Sequence, residues 1–192
     1  SDVRDKNNNL YYNSDANEMT RNHVFYNNEL NKKVAELANK SVALMARPVI
    51  ILVDELEQIS YLAPYLRYEF KFCHSGITKT NQASVPVEYH KSDPKQFVQE
   101  FNDRKFPILI GTSCIGVGTD LRPVGCIINL RGGKSPVEIS QNIGRGTRLA
   151  IGKEDFLYID IAIKNVEMLE KHAKERIKIF KRIYPSISEV QL

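Results

Sequence analysis

Residues 107–120 read PILIGTSCIGVGTD, an apolar run that passes directly into glycines, short hydroxyl side chains and a final carboxylate. The aliphatic and β-branched run is typical of a buried strand. In open parallel sheets, binding loops follow the carboxyl ends of the strands, so the polar half of this stretch is a candidate ligand loop. Its glycines would let a ligand approach the backbone, and its hydroxyls and amides could hold phosphate. An ordinary strand-to-helix turn has the same composition, and the stretch alone leaves both interpretations open.

Short apolar runs alternate with helical stretches on both sides of residues 107–120. We expect strands at 49–53, 68–73, 107–111, 125–130 and 156–161. We expect helices at 28–46, 56–66, 94–104, 136–145 and 164–184. Asp93 followed by Pro94 predicts the N-cap and first turn of the third of these helices. This alternation predicts an α/β fold built on a mostly parallel sheet.

The last expected helix, 164–184, has two unlike sides. Its apolar side consists of Val166, Leu169, Ala173, Ile177 and Phe180, and its other side carries many lysines and arginines. An apolar stripe packed on the core, below a solvated basic face, accounts for this pattern.

The length of 192 residues suits a single domain. The first 22 residues are polar and rich in asparagine, so we expect 1–27 to be a polar N-terminal segment or linker. The remainder, 28–192, is expected to be one domain. Within it, the candidate motifs lie between residues 48 and 161, and the amphipathic helix follows them.

Composition limits the functional classes without choosing one. Lys and Arg outnumber Asp and Glu by 27 to 23, a net charge of +4 that is compatible with a polyanionic partner but does not require one. Cys73, Cys114 and Cys126 are odd in number and lack C-x-x-C spacing, which argues against a disulfide framework and against a thiolate zinc site. No membrane span or leader is recognisable, so we expect an intracellular protein, cytoplasmic or nucleoid-associated, with no membrane partner.

A second candidate site lies in residues 141–148, QNIGRGTR. Arg145 and Arg148 are three residues apart, so on a helix both guanidinium groups point to one side and can face one anion. Two such charges could neutralise a transferring γ-phosphoryl group, which is the role of an arginine finger. A pair of ordinary surface arginines is the alternative. Gly144 and Gly146 are destabilising inside a helix and need a reason to be there.

The sequence Gly133-Lys134-Ser135 stands where the end of a phosphate-binding P-loop would stand, between a strand and a helix. The first glycine of G-x-x-x-x-G-K-[ST] would fall at Ile128, so we do not expect a working P-loop. The nearest acidic pair, Asp54-Glu55, follows the first strand of the chain. The lysine and magnesium half of an ATPase site is therefore missing from this sequence.

Taken in order, these segments resemble the C-terminal RecA-like domain of superfamily-2 helicases, in particular the phage and DNA-repair type related to type I restriction motor subunits. Residues 49–54 resemble motif IV, 72–76 a strand that ends in a His-Gly turn, and 112–120 motif V. Residues 141–148 match the Q-x-x-G-R-x-x-R form of motif VI, which is the most specific element. The resemblance implies a RecA-like three-layer sandwich with a mostly parallel central sheet flanked by helices.

The resemblance also implies residue roles at a nucleotide. Arg145 and Arg148 would be the catalytic arginines that reach across a cleft to ATP on a first domain of the same polypeptide. Gln141, Gly118 and Asp120 would bind the same nucleotide. ATP and Mg²⁺ would be held mainly by that first domain, so this chain alone is expected to be inactive.

On the nucleic-acid side, the resemblance implies that Thr112 holds a backbone phosphate, with Asp54 and Ser75 as further candidates. Such contacts position a strand without reading its sequence. DNA is the expected partner rather than RNA. Residues 80–91 depart from the family pattern, because relatives usually proceed directly into a helix there.

Three functions remain open from the sequence. The first is the second motor domain of an ATP-dependent helicase or translocase. The second is a non-catalytic module, with the same fold, that binds nucleic acid or docks a partner. The third is a stand-alone nucleotide-binding enzyme that uses residues 133–135.

Overall fold

The computed structural model of the chain describes residues 16–115, 121–122, 124–131, 157–164 and 166–183. The helix expected at 136–145 lies outside these ranges. Five strands are present in the described part, and their bounds are β1 Val49–Leu52, β2 Phe70–Cys73, β3 Ile108–Gly111, β4 Cys126–Asn129 and β5 Leu157–Asp160. Each lies inside the range predicted for it.

The five strands form one sheet in the order β2-β3-β1-β4-β5, and every neighbouring pair is parallel. The three central strands, β1, β3 and β4, are buried along their whole length, and most of their side chains are aliphatic; the exceptions are Gly111, Cys126 and Asn129. Strands that are covered on both faces need apolar residues at every position, which explains their continuous apolar runs. The predicted α/β class and parallel sheet are confirmed.

The helices of the described part are α1 Ala16–Thr20, α2 Asn28–Met45, α3 Gln58–Leu62, α4 Pro94–Asn102 and α5 Glu167–Ile183. A π-helical turn, Arg21–Phe25, follows α1, and 3₁₀ turns occupy Ala63–Tyr65, Val87–Tyr89 and Ser113–Ile115. Asp93 caps α4, because its side chain accepts a hydrogen bond from the amide of Gln96 at 3.1 Å. No helix among the described residues is long and apolar enough to cross a membrane.

Side chains alternate between the two faces of the sheet, and each face has its own core. Val49, Ile51 and Val53 point to the face covered by α2 and α3. Ile50 and Leu52 point to the opposite face, where Phe101 of α4 lies. Helices therefore cover both faces of a parallel sheet, which is the three-layer arrangement expected of a RecA-like domain.

Residues 16–27, part of the segment expected to be a loop or linker, carry helical turns that contact the core. Val24 and Phe25 are buried in the same cluster as α2. The ring of Tyr26 stacks on that of Tyr61 with centroids 5.6 Å apart. Arg21 donates to the carboxylate of Glu55 at 3.0 Å, so this segment is attached beside the loop that follows β1.

The buried stripe of α5 differs from the prediction at one position. Val166, Leu169, Ala173 and Phe180 are buried as expected, but Arg176 is buried where Ile177 was predicted, and Ile177 is only half-buried. The prediction counted arginine with the solvated residues. In the folded chain the guanidinium of Arg176 meets the carboxylate of Asp160 on β5, and this partner makes its burial possible.

Gly111, the last residue of β3, has no room for a side chain. A Cβ atom at this position would overlap the side chain of Ile115, which is itself buried. We expect Gly111→Ala to lower the free energy of unfolding by about 1–3 kcal/mol through overpacking, and Ile115→Ala to lower it by about 2–5 kcal/mol through the cavity left behind. In the double variant the two losses should be less than additive, because each change relieves the other. Urea unfolding of the four proteins measures this coupling, and strict additivity would contradict the packing described.

Candidate functional site at the carboxyl edge of the sheet

The register makes the five strands end at one level. Leu52 of β1 is paired with Gly111 of β3 and Asn129 of β4, Gly111 with Cys73 of β2, and Asn129 with Asp160 of β5. The loops that follow the strands therefore leave from one edge, where parallel sheets bind their ligands.

Three of the predicted site residues follow neighbouring strands at this edge. Ser75 follows β2, Thr112 follows β3 and Asp54 follows β1, and the order β2-β3-β1 places Thr112 between the other two. Ser75 and Asp54 are exposed, whereas Thr112 is buried. The structure thus brings all three predicted nucleic-acid contacts to the same edge.

The backbone and side chain of Thr112 form three hydrogen bonds that fix its position. Its amide donates to the carbonyl of Cys73 at 3.1 Å, which extends the pairing of β2 and β3 by one residue. Its hydroxyl donates to the Sγ of Cys114 at 3.6 Å, and its carbonyl accepts from the amide of Ile115 at 3.1 Å.

Burial raises the pKa of the Cys73 thiol to about 12, so this thiol is protonated at neutral pH and acts as a core residue rather than a nucleophile.

The loop after β1 is shaped by two side chains that sequence reasoning did not select. Gln58 is fully buried, and its Oε1 accepts hydrogen bonds from the amides of Asp54 and Glu55, both at 2.9 Å. Arg131, two residues beyond β4, donates from Nε to the carbonyl of Val53 at 3.2 Å. The same Nε lies 3.6 Å from a carboxylate oxygen of Asp54. The carboxylate of Asp54 thus faces the guanidinium of Arg131, which follows the neighbouring strand β4.

The turn after β2 depends on a buried histidine and a glycine. The backbone N–H of His74 donates a hydrogen bond to the Ser92 hydroxyl at 3.0 Å, and its Nε2 lies 2.9 Å from the carbonyl of Tyr89. These hydrogen bonds hold the segment 80–91, which has little regular secondary structure, against the end of β2. Gly76 has a φ of +146°, a conformation that residues with a side chain rarely adopt.

A charged network joins β4, β5 and α5 at the same edge. Asn129 donates to one carboxylate oxygen of Asp160 at 2.8 Å, and Arg176 donates from Nε to the other oxygen at 2.8 Å. Arg176 also donates to the carbonyl of Ile161 at 2.8 Å. Burial raises the pKa of Asp160, while Arg176 and Asn129 partly oppose that rise because they stabilise the ionised carboxylate.

The buried Arg176 and the largely buried side chain of Arg131 lie next to one another. Arg131 and Arg176 line a small cavity of about 10 Å³ together with Val24 and Leu169. One Nη atom of Arg131 is buried and has no hydrogen-bond partner among the residues that the structure describes. The edge of the sheet therefore carries two guanidinium groups, each facing an aspartate, in addition to the predicted polar residues.

The sequence contained a signal for only some of these residues. Arg131 comes directly after a strand in the sequence order, where functional residues are expected, but it was not selected because no motif position covers it. Arg176 lies in a helix with many lysines and arginines, so the sequence does not distinguish it from the solvated basic residues. Gln58 and Asn129 are polar residues that become recognisable only when the neighbouring backbone is known.

The five predicted nucleotide contacts, Gly118, Asp120, Gln141, Arg145 and Arg148, lie outside the described residues. Ile128, where a P-loop would need its first glycine, is a buried residue inside β4 and is paired with Ile51 and Ile159. A position inside a strand cannot supply the first glycine of a phosphate-binding loop. Among the described residues, no group of three or more His, Cys, Asp or Glu side chains is arranged to hold a metal ion.

Comparison with known proteins identifies a family. The family described as helicase conserved C-terminal domain matches residues 31–150. A stretch of 73 residues is 37% identical to a putative mitochondrial ATP-dependent helicase, irc3, of Schizosaccharomyces pombe. That stretch covers 38% of this chain and 12% of the relative, so this chain corresponds to a small part of the relative's length.

Solved helicase structures share the fold. UvsW of phage T4 has a TM-score of 0.63 at 10% identity, over 88% of this chain and 35% of that one. Dbp5 of S. cerevisiae, in a structure bound to RNA and ADP BeF₃, has a TM-score of 0.57 at 17% identity, over 84% of this chain and 38% of that one. Identities this low are evidence of a common fold only, and they confirm the RecA-like architecture.

The buried pair of Asp160 and Arg176 leads to a stability prediction. We expect Arg176→Met to lower the free energy of unfolding by about 3–5 kcal/mol, because it leaves a buried carboxylate without its cation. The double variant Asp160→Asn/Arg176→Met should lose less than Arg176→Met alone. Chemical denaturation at neutral pH measures both.

The same pair leads to a pH dependence. A folded-state pKa raised above the unfolded value of about 3.9 means that stability declines as the pH rises through that range. Removing Arg176 raises the pKa of Asp160 further, so the deficit of Arg176→Met should shrink as the pH is lowered from about 7 towards about 4, when Asp160 takes up a proton. A deficit that stays constant over this range would contradict the assignment.

Proposed function

Because this chain belongs to the helicase conserved C-terminal domain family, we propose that it is the second RecA-like motor domain of an ATP-dependent superfamily-2 helicase or translocase. The domain spans 28–192 in this proposal. The observation that carries it is the family match over residues 31–150, joined to a parallel sheet whose loops converge on one edge. The chain corresponds to 12% of irc3 and to about a third of the UvsW chain, so a longer polypeptide with a first RecA-like domain is part of the proposal.

On the nucleotide side, Arg145 and Arg148 would act as arginine fingers towards ATP bound by the first domain. On a helix, a spacing of three residues would direct both guanidinium groups to one side, where they could neutralise the γ-phosphoryl group during transfer. Gln141 would lie near the same nucleotide, and Gly118 and Asp120 would face its ribose and phosphates. ATP and Mg²⁺ would be held mainly by the first domain, since this chain carries no P-loop.

On the nucleic-acid side, Thr112 and Ser75 would contact backbone phosphates from adjacent strands of the sheet. Asp54 is an anion and would repel a phosphate, so its contribution would be to orient the guanidinium of Arg131, which lies 3.6 Å away. Contacts of this type hold a strand without reading its sequence, as a translocating motor requires. DNA is the proposed track, inside the cell, and an RNA substrate serves as the comparison because the Dbp5 structure contains RNA.

Hydrolysis would couple the two sides through the cleft between the domains. ATP binding would close the cleft by engaging the arginines, and product release would open it. Each cycle would move the edge that carries Thr112 relative to the first domain.

The arginine assignment is tested in the longer polypeptide that also carries the first domain. We expect Arg148→Ala to lower nucleic-acid-stimulated ATP turnover by about 10³-fold or more, because a finger arginine acts mainly on the transition state. Binding of a fluorescent ATP analogue should be retained. Arg67→Ala is a matched control, because this arginine is exposed near the amino edge of the sheet and uses its backbone amide to contact Asn39. Unchanged turnover in Arg148→Ala would reject the assignment of this residue as an arginine finger.

The strand contact is tested by changing one hydroxyl. Thr112→Val keeps the shape of the side chain and removes its hydrogen bond, and we expect a loss of nucleic-acid affinity of roughly 10-fold, equivalent to about 1.5 kcal/mol for a bond to a charged group. Thr112→Ser should restore most of the affinity. Cys114→Ala removes the sulfur partner of the hydroxyl and leaves the hydroxyl itself, so it should bind at least as well as the wild type. Fluorescence anisotropy with labelled single-stranded DNA and RNA measures all four proteins, and equal affinity for Thr112→Val would contradict the role.

A further inference from the structure

Helix α5 presents two faces of opposite character. Its buried positions, 169, 173, 176 and 180, together with Val166 just before the helix, recur at the three- and four-residue spacing of one helical stripe. Its exposed positions from the second turn onwards are all basic, and they are Lys171, Lys174, Lys178, Lys181 and Arg182. The exposed basic residues are called the α5 cationic face below.

The α5 cationic face is continuous, but acidic residues accompany its first half: Glu167, Glu170 and Glu175 line one shallow surface together with Lys171, Lys174 and Lys178. Residues 171–182 rise by about 16 Å along the helix, and their spacing places one or two cations on each turn. Lys174 is paired with Glu170 at 3.7 Å, an exposed contact that contributes little. Lys171, Lys178, Lys181 and Arg182 form no ion pair with any described residue.

The opposite face of α5 fixes this surface relative to the sheet. Arg176 is bonded to Asp160 and to the carbonyl of Ile161, at the carboxyl end of β5. Phe180 packs on Tyr158, further back along the same strand, with ring centroids 5.3 Å apart. Helix α5 therefore runs antiparallel to β5, and its Lys171 end reaches the same edge of the sheet as Thr112.

We propose that the α5 cationic face binds the phosphodiester backbone of nucleic acid, as a contact surface separate from the loops that carry Thr112, Asp54 and Ser75. The proposal rests on the proposed function, because it assigns a second surface to the same polyanion. Lysines repeated along a helix neutralise successive phosphates and release their counterions, which gives affinity without sequence preference.

The composition of the face favours nucleic acid over a lipid surface. Membrane-surface helices insert large apolar side chains beside their basic residues. In α5 the large apolar residues Leu169 and Phe180 are buried against the domain, and none belongs to the exposed stripe. A basic surface without apolar residues fits a regularly spaced polyanion.

The test compares two triple variants of the 192-residue chain. Lys171→Gln/Lys178→Gln/Lys181→Gln removes three charges from the cationic face and leaves the Lys174–Glu170 pair intact. The matched control, Lys32→Gln/Lys33→Gln/Lys40→Gln, removes three charges from exposed positions of α2. Both triples change the net charge of the chain equally, so a difference between them reports the location of the charge rather than its total.

The measurement is the dependence of affinity on salt for labelled single-stranded and duplex DNA and for single-stranded RNA. Between about 50 and about 200 mM salt, we expect the slope of log K against log salt to become shallower by about 2–3 in the α5 triple, since each lost phosphate contact removes about 0.7–0.9. The α2 triple should keep the wild-type slope. Comparison of the three nucleic acids shows which backbone is preferred.

Three results would overturn the proposal: an equal loss in both triples, an unchanged slope in the α5 triple, or no salt-dependent binding by the wild-type chain. Binding to anionic vesicles, with the same lysine dependence and without nucleic-acid binding, would also overturn it in favour of a membrane. These outcomes are distinguishable from failure of the proposed function, because that function is tested by Arg148→Ala turnover in the longer polypeptide and by Thr112→Val.

Discussion

The common level at which the five parallel strands end is the constraint on which the candidate site depends. Leu52, Gly111 and Asn129 are held in one row by the pairing of β1 with β3 and β4. Because side chains alternate along each strand, a shift by one residue would move every side chain of the shifted strand into the core on the opposite face, where its packing partners differ. The two cores above and below the sheet therefore fix the register, and the register brings Ser75, Thr112 and Asp54 to one edge.

Charge burial is the second organising feature of this edge. Asp160 and Arg176 lie inside the protein, where an isolated ion would be strongly destabilising, and hydrogen bonds from Asn129 and to the Ile161 carbonyl complete their arrangement. Pairs of this kind contribute little net stability compared with apolar residues of the same volume, but they strongly penalise any misplacement of one partner. In this domain the penalty applies to the position of α5 against β5.

Much of the fold was accessible from the sequence, because continuous aliphatic runs such as those of β1 and β3 have few alternatives to a buried parallel strand. The cap at Asp93 was predictable because capping is local. Arg176 was assigned to the wrong side of α5, since helical spacing allows either Arg176 or Ile177 in the buried stripe and only the position of Asp160 decides between them. Arg131 could not be found because it donates to the carbonyl of Val53, which is distant in sequence. Gln58 accepts from the nearby amides of Asp54 and Glu55, a contact that no residue pattern in the sequence marks. The family resemblance, rather than spacing, supplied the roles proposed for Thr112 and for the two motif VI arginines.

The attachment of residues 16–27 has a mechanical consequence. The ion pair between Arg21 and Glu55, together with the buried Val24 and Phe25, anchors this segment next to the loop after β1. The ion pair is partly exposed and contributes little by itself, so the burial of Val24 and Phe25 supplies most of the attachment. Tension on this segment would therefore have to expose these two apolar side chains to water before it could load α2 and the strands behind it.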